Sequence, residues 1–182
     1  MIQVIELIKE VAEKASEFYI EQNPKAKPVT FIADNFVIIG QELNKRSKSE
    51  KGMKEKYPAI LLFTDNLVER PASPLKQWET EVTLHILIVT DAIQGDGEVK
   101  RKKVFYPVLY PIYEAFLKAI EENPRIYTKG ESWLTIEKYD RLNLVAVLGR
   151  NSVFADKLDG IEIRNLRLRL KDEFCFKNNL KK

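Results

Sequence analysis

Residues 78–91, WETEVTLHILIVTD, constrain the fold more than any other stretch of the chain. Small or apolar side chains recur at Thr80, Val82, Leu84, Ile86, Ile88 and Thr90, with Glu81, Thr83 and His85 between them. A period of two marks a strand with one face in a core and the other in water. From Leu87 the alternation stops, because Leu87 and Val89 make the second face apolar as well. A lone antiparallel strand keeps that face wet, so the pattern demands a cover from outside the strand. An insertion in the same chain would supply it, and so would another subunit.

Two helices are legible as cover for the first face. Residues 2 to about 20 place Val4, Ile8, Val11, Ala15 and Phe18 three and four apart, with Ile5, Ala12 and Tyr19 alongside and acidic and basic residues opposite, which is one apolar stripe. Pro24 and Pro28 end that helix. A second helix is expected in VFYPVLYPIYEAFLKAIEENP, where Leu109, Ile112, Tyr113, Phe116, Leu117 and Ile120 share a face and Asn123–Pro124 closes it. Pro107 fits a first turn, but Pro111 removes an interior hydrogen bond, so a kink or a late start is expected there.

The remaining strands read as FIADNFVIIG, PAILLFT, SWLTIEK with Trp133, and LDGIEIRNLRLRLK; RLNLVAVLG fits both helix and strand periods. In the last strand Ile161 and Ile163 are odd-numbered, whereas Leu166, Leu168 and Leu170 are even. One extra residue at Arg164–Asn165, a β-bulge, keeps all five on one face. The expected architecture is a single α+β domain over 1–182: a twisted, mainly antiparallel sheet with two helices on one face. A long basic loop over about 43–57 and a short tail over about 172–182 complete it. A length of 182 residues is enough to bury a real core.

Charge is balanced globally and clustered locally. Thirty basic residues against 27 acidic ones leave a net charge of +3, far from the excess of a dedicated nucleic-acid binder. Lys45, Arg46, Lys48, Lys51, Lys54 and Lys56 crowd the loop, Lys100, Arg101, Lys102 and Lys103 follow the turn-like QGDGE, and Arg167, Arg169 and Lys171 form a stripe on the last strand. Each cluster reads either as solvated surface or as a face for a partner or for sequence-independent contact with phosphate. The start, MIQVIELIKE, lacks the order of a signal peptide, and no run approaches the roughly 18 apolar residues of a membrane span. An intracellular chain is expected, with no contact with membrane.

Signatures of chemistry are missing. GxSxG, GxGxxG and GxxxxGK do not occur, His85 is the only histidine, and Cys175 is the only cysteine and reads as a packed side chain. Asp65, Glu79 and Glu81 would be the carboxylates of a Mg²⁺-dependent nuclease, yet position 83, where a strand of that kind would carry lysine, is threonine. Asp91, Asp96 and Glu98 lack the ligand alternation of a Ca²⁺ loop, and Asp96–Gly97 reads as a turn.

With FIADNFVIIG, YPAILLFTDN, WETEVTLHILIVTDA, VFYPVLYPIYEAFLKAIEENP and LDGIEIRNLRLRLK as landmarks, the layout resembles the tail terminator and tail completion proteins of long-tailed bacteriophages over nearly the whole chain. The resemblance implies a virion subunit made in the bacterial cytoplasm. Such a subunit assembles into a hexameric ring, caps the tail tube and forms the surface on which the head docks. It also implies tail tube and head-completion proteins as partners, transient contact of the basic loops with DNA, and neither enzymatic activity nor cofactor. The long, charged segment 43–57 departs from that pattern. Two alternatives remain open: a non-specific nucleic-acid-binding module built on the basic loops, and the Mg²⁺-dependent nuclease.

Overall fold

The computed structural model describes residues 2–46, 56–73, 76–127, 136–142 and 158–170; the side chains of residues 2 and 71–79 are outside the description. In chain order the elements are helix α1 (Ile2–Gln22), strand β1 (Thr30–Asp34), helix α2 (Phe36–Arg46), strands β2 (Ala59–Phe63), β3 (Val68–Ser73) and β4 (Lys76–Asp91), helix α3 (Tyr110–Glu122), and strands β5 (Glu137–Arg141) and β6 (Leu158–Leu170). One six-stranded sheet runs β1-β2-β4-β6-β5, and β3 also pairs with β4. Since β6 occupies one side of β4, β2 and β3 lie in succession along the other. Only β1 and β2 are parallel; the other pairings are antiparallel. The α+β class and the largely antiparallel sheet agree with the sequence reading.

The first face of the sheet is covered as the periodicity requires. Val4, Ile8, Val11, Ala15 and Phe18 of α1 and Ile112, Phe116 and Ile120 of α3 share a core with Val82, Leu84, Ile86 and Ile88 of β4. Ile161, Ile163, Leu166, Leu168 and Leu170 join it from β6. All five β6 residues reach one face because the register shifts between Leu84 and Ile86 of β4, opposite Arg164–Asn165. Asn165 takes φ 53°, the left-handed conformation that asparagine tolerates better than most residues.

The second face departs from expectation in an informative way. FIADNFVIIG is not one strand: β1 stops at Asp34, Asn35 Oδ1 accepts from Ile38 N at 2.9 Å, and Asp65 Oδ2 accepts from Phe36 N at 3.1 Å. Both bonds satisfy amides that a helix start leaves open, and α2 begins. A parallel β1–β2 pair needs a crossover, and α2 lies within it. The expected loop at 43–57 therefore begins inside a helix, with Leu43 buried. Ile39 and Leu43 pack with Leu61, Phe63, Leu87, Val89 and Leu158. The cover that Leu87 and Val89 require comes from their own chain, so these two residues supply no argument for a second subunit. Burial of each is worth about 1.5–3 kcal/mol.

The second predicted helix starts earlier than expected. Asp96 Oδ1 accepts from Val99 N at 2.9 Å and caps a turn at Gly97–Lys100. That turn passes into a π-helical stretch, Arg101–Leu109, and then into α3, where Pro111 occupies the first turn. The two prolines therefore exchange the places expected of them: Pro107 lies inside the helical run, where the wider coil absorbs it without ending the helix, and Pro111 is the one in a first turn. Lys100, expected in a charged surface corner, is buried instead, and its Nζ meets Asp159 Oδ1 and Oδ2 at 2.9 and 3.1 Å.

Trp133, the segment RLNLVAVLG apart from its first two residues, the tail at 172–182 and Cys175 lie outside the described residues. Among the described residues no helix is long and apolar enough to cross a membrane.

Candidate functional site

Helix α2 covers only part of the second face. Where it ends, β4 offers Glu81, Thr83 and His85, and β6 offers Glu162, Arg164, Arg167 and Arg169 to the same side. Tyr139 and Arg141 of β5 extend that surface, since Tyr139 pairs with Glu162. The switch in β4 from alternating to continuous apolar character marks the border between this polar field and α2.

Glu162 is the hub of the field. Its side chain is 6 % exposed, and it receives His85 Nε2 on Oε1 at 2.9 Å, Arg164 Nε on Oε1 at 2.7 Å and Arg141 Nε on Oε2 at 2.7 Å. Burial alone would raise the Glu162 pKa, but the hydrogen bonds from Arg164, Arg141 and His85 outweigh it and hold the carboxyl below its ordinary value. The two guanidiniums stack near the Tyr139 ring, at 4.6 Å for Arg141 and 5.7 Å for Arg164.

His85 lies between this hub and the turn before β3. Its Nδ1 is 3.2 Å from Asn66 Nδ2, and its ring centroid is 4.8 Å from that of Phe63. Burial lowers its pKa; Glu162 pulls upward and Arg164 pushes downward, and the balance falls below 6.5. Neutral imidazole is therefore the form at pH 7, with Nε2–H donated to Glu162 and Nδ1 accepting from the Asn66 amide. Beside it opens a cleft of about 270 Å³ lined by Asn66, Thr83, Leu84, His85, Arg164 and Asn165. Leu84 belongs to the core on the helix side, so it meets the cleft through its main chain.

Among the described residues, the basic side chains expected to form interfaces do not converge. Lys45 and Arg46 close α2, where cations complement the helix end, and Arg46 Nε bonds Glu42 Oε1 at 3.1 Å. Lys48, Lys51, Lys54 and Lys171 lie outside the described residues. Lys56, expected on a solvated loop, is buried, with its ammonium 5.2 Å from the centroid of the Tyr57 ring. Arg101, Lys102 and Lys103 are exposed on the helical layer, the far side of the sheet from Arg167 and Arg169. Lys102 Nζ is held by Glu98 Oε1 at 2.6 Å. Arg167 is exposed and Arg169 half-buried on the polar field, as the alternation of the last strand predicts.

Two of the three carboxylates considered for a nuclease have other partners. Asp65 caps α2, and Glu81 Oε1 receives Arg70 Nε at 3.1 Å; the side chain of Glu79 is outside the description. Among the described residues no group of three or more His, Cys, Asp or Glu is placed to hold a metal ion. Sequence reasoning found the slip at Arg164–Asn165, took His85 as a structural residue without partners for chemistry, and missed Glu162, Arg141 and Asn66. Glu162 carried a signal: it is the one acid on the second face of β6, opposite Leu87, where the covered and open parts of that face meet. No family model matches the chain, and no curated protein is significantly similar to it.

Proposed function

We propose that the chain is a structural subunit that joins head to tail with copies of itself into a ring, and that this ring closes the tail tube of a long-tailed phage and receives the head. The observation that carries the reading is the placement of exposed apolar side chains. Among the described residues these are Val37, Ile38, Val68, Tyr106, Tyr139 and Leu142, and they fall into two groups at opposite edges of the sheet. Val37 and Ile38 open α2, whose first amide is held by Asp65 in the turn just before Val68, so these three belong to the β1–β3 edge. Tyr106 stacks on Tyr110 with centroids 5.7 Å apart, and Tyr110 donates its hydroxyl hydrogen bond to Asp140 of β5. Tyr139 and Leu142 lie on and just after β5, so this second group belongs to the opposite edge.

Two unlike patches on opposite edges are what a heterologous contact requires, and such contacts close into rings when the rotation permits. Of the landmark segments behind the phage resemblance, FIADNFVIIG divides between β1 and α2 instead of forming a strand, and the reading therefore rests on the two edges and not on those segments. In a virion the subunit performs no reaction and carries no cofactor; its partners are its own copies, six in a ring, the tail tube and the head-completion protein. DNA contact is secondary, because Arg70, Arg141 and Arg164 are paired with Glu81 and Glu162 inside the chain, which leaves less free charge for phosphate.

Negative-stain electron microscopy of the purified protein, alone and mixed with tail tubes, tests the proposal. Uniform rings, or density capping tube ends, are expected. Protein that stays monomeric at high concentration and leaves tube ends bare overturns it.

A further inference from the structure

We infer that the cleft between β4 and the β6 bulge is a binding site for a single carboxylate, held by the Arg164 guanidinium with help from Thr83, Asn66 and Asn165. Consecutive residues of a regular strand point to opposite faces. The bulge breaks that rule and turns both Arg164 and Asn165 onto the open face, where both line the cleft. It does so through a left-handed Asn165, φ 53°, and bulges of this kind re-aim side chains beside binding sites. Arg164 Nε is occupied by Glu162, so the guanidinium meets a ligand through Nη1 and Nη2, the fork that matches the two oxygens of a carboxylate.

The charge around the cleft selects among anions. Glu162 stands behind Arg164, and Glu137 Oε1 accepts from Asn165 Nδ2 at 2.8 Å. Arg141 and Arg164 share the charge of Glu162, and Arg164 is the one cation lining the cleft, so a phosphate dianion would bring two charges to a single guanidinium with Glu137 close by, whereas a carboxylate brings one. The volume of about 270 Å³ admits a short acid or one acidic side chain and is small beside pockets for larger ligands. Neutral His85 forms one wall and offers no competing charge. The site does not depend on ring formation: the source of the carboxylate is either a free small acid or an acidic residue of a polypeptide.

His85 is the only histidine in the chain, so its carbon-bound imidazole protons give an isolated NMR signal on the cleft wall. The full chain is titrated at neutral pH and constant ionic strength with acetate, succinate, inorganic phosphate and an uncharged-ended Gly-Glu-Gly peptide. A saturable shift with the carboxylates is expected. Arg164→Gln should weaken it about tenfold, the loss of one charge-assisted fork. Asn165→Gly, which keeps the left-handed backbone, should weaken it about threefold, and Arg167→Gln, on the same face outside the cleft, should change it less than about twofold. Thermal melts establish that each variant is folded, and Asn165→Gly carries the test if Arg164→Gln is not. Tighter binding of the peptide assigns a polypeptide source, and tighter binding of the free acids a small molecule. Shifts that never saturate, a folded Arg164→Gln with undiminished affinity, or phosphate binding more tightly than every carboxylate overturns the inference.

Discussion

Glu162 sets the behaviour of the fold in acid. It is nearly buried and gathers Arg141, Arg164 and His85, so its removal strands three donors at once. Glu162→Ala is expected to cost about 1–3 kcal/mol, below the full cost of breaking a deeply buried pair because both arginines are partly solvated; urea denaturation measures it. The pH dependence has two stages. The folded pKa of His85 lies below 6.5, so the unfolded chain takes up that proton more readily. The stability His85 contributes is complete above about pH 6.5 and lost as pH falls through its folded pKa. The folded pKa of Glu162 lies below 4.5, and its contribution is lost only as pH falls below that value. Melting temperatures measured against pH should therefore be level above neutrality, decline below about 6.5 and decline further below about 4.5. In His85→Gln, which keeps a donor toward Glu162, the first decline should vanish and the second remain.

At the scale of elements, α2 is the part on which the second face depends. Asn35→Ala, which removes the cap on Ile38 N, should cost about 1 kcal/mol. Leu43→Ala, at a fully buried position against the sheet, should cost about 2–4 kcal/mol. Denaturant titration of both variants checks the order as well as the sizes. This element is also where the sequence is hardest to read. Phe36, Val37, Ile38 and Ile39 are a β-favouring run directly after a true strand, and Gly40 weakens the helical pattern. The competing signal, Asn35 ahead of Phe36, Ile39 and Leu43 at spacings of three and four, is short, and the basic run after it resembles loop. The bulge in β6 was legible for the opposite reason: five apolar residues had to share one face, and a single inserted residue was the only change that allowed it. The hub was illegible because no sequence period brings Arg141, Glu162 and His85 together. Their meeting is set by the register of β4, β5 and β6.

For the whole molecule, the decisive property is that its two apolar edges differ. If copies joined through one patch meeting itself, blocking that patch would abolish every contact, and blocking the other edge would change nothing. In a head-to-tail ring each contact uses the β1–β3 edge of one copy and the β5 edge of the next. Ile38→Asp on the first edge and Tyr106→Asp on the second change exposed side chains, so each should alter folding stability by less than about 0.5 kcal/mol while stopping ring growth. Each variant alone should remain monomeric in sedimentation velocity. Mixed in equal amounts, they retain one intact edge apiece, the β1–β3 edge of the Tyr106→Asp chain and the β5 edge of the Ile38→Asp chain. One contact per pair is then possible and no more, so the mixture should form dimers containing both variants and nothing larger. Rings in either variant alone, or a mixture as monomeric as its components under conditions where the unaltered chain forms rings, would rule out the head-to-tail arrangement. The experiment separates the geometry of association from the identity of whatever the ring caps, because it needs no tail tube.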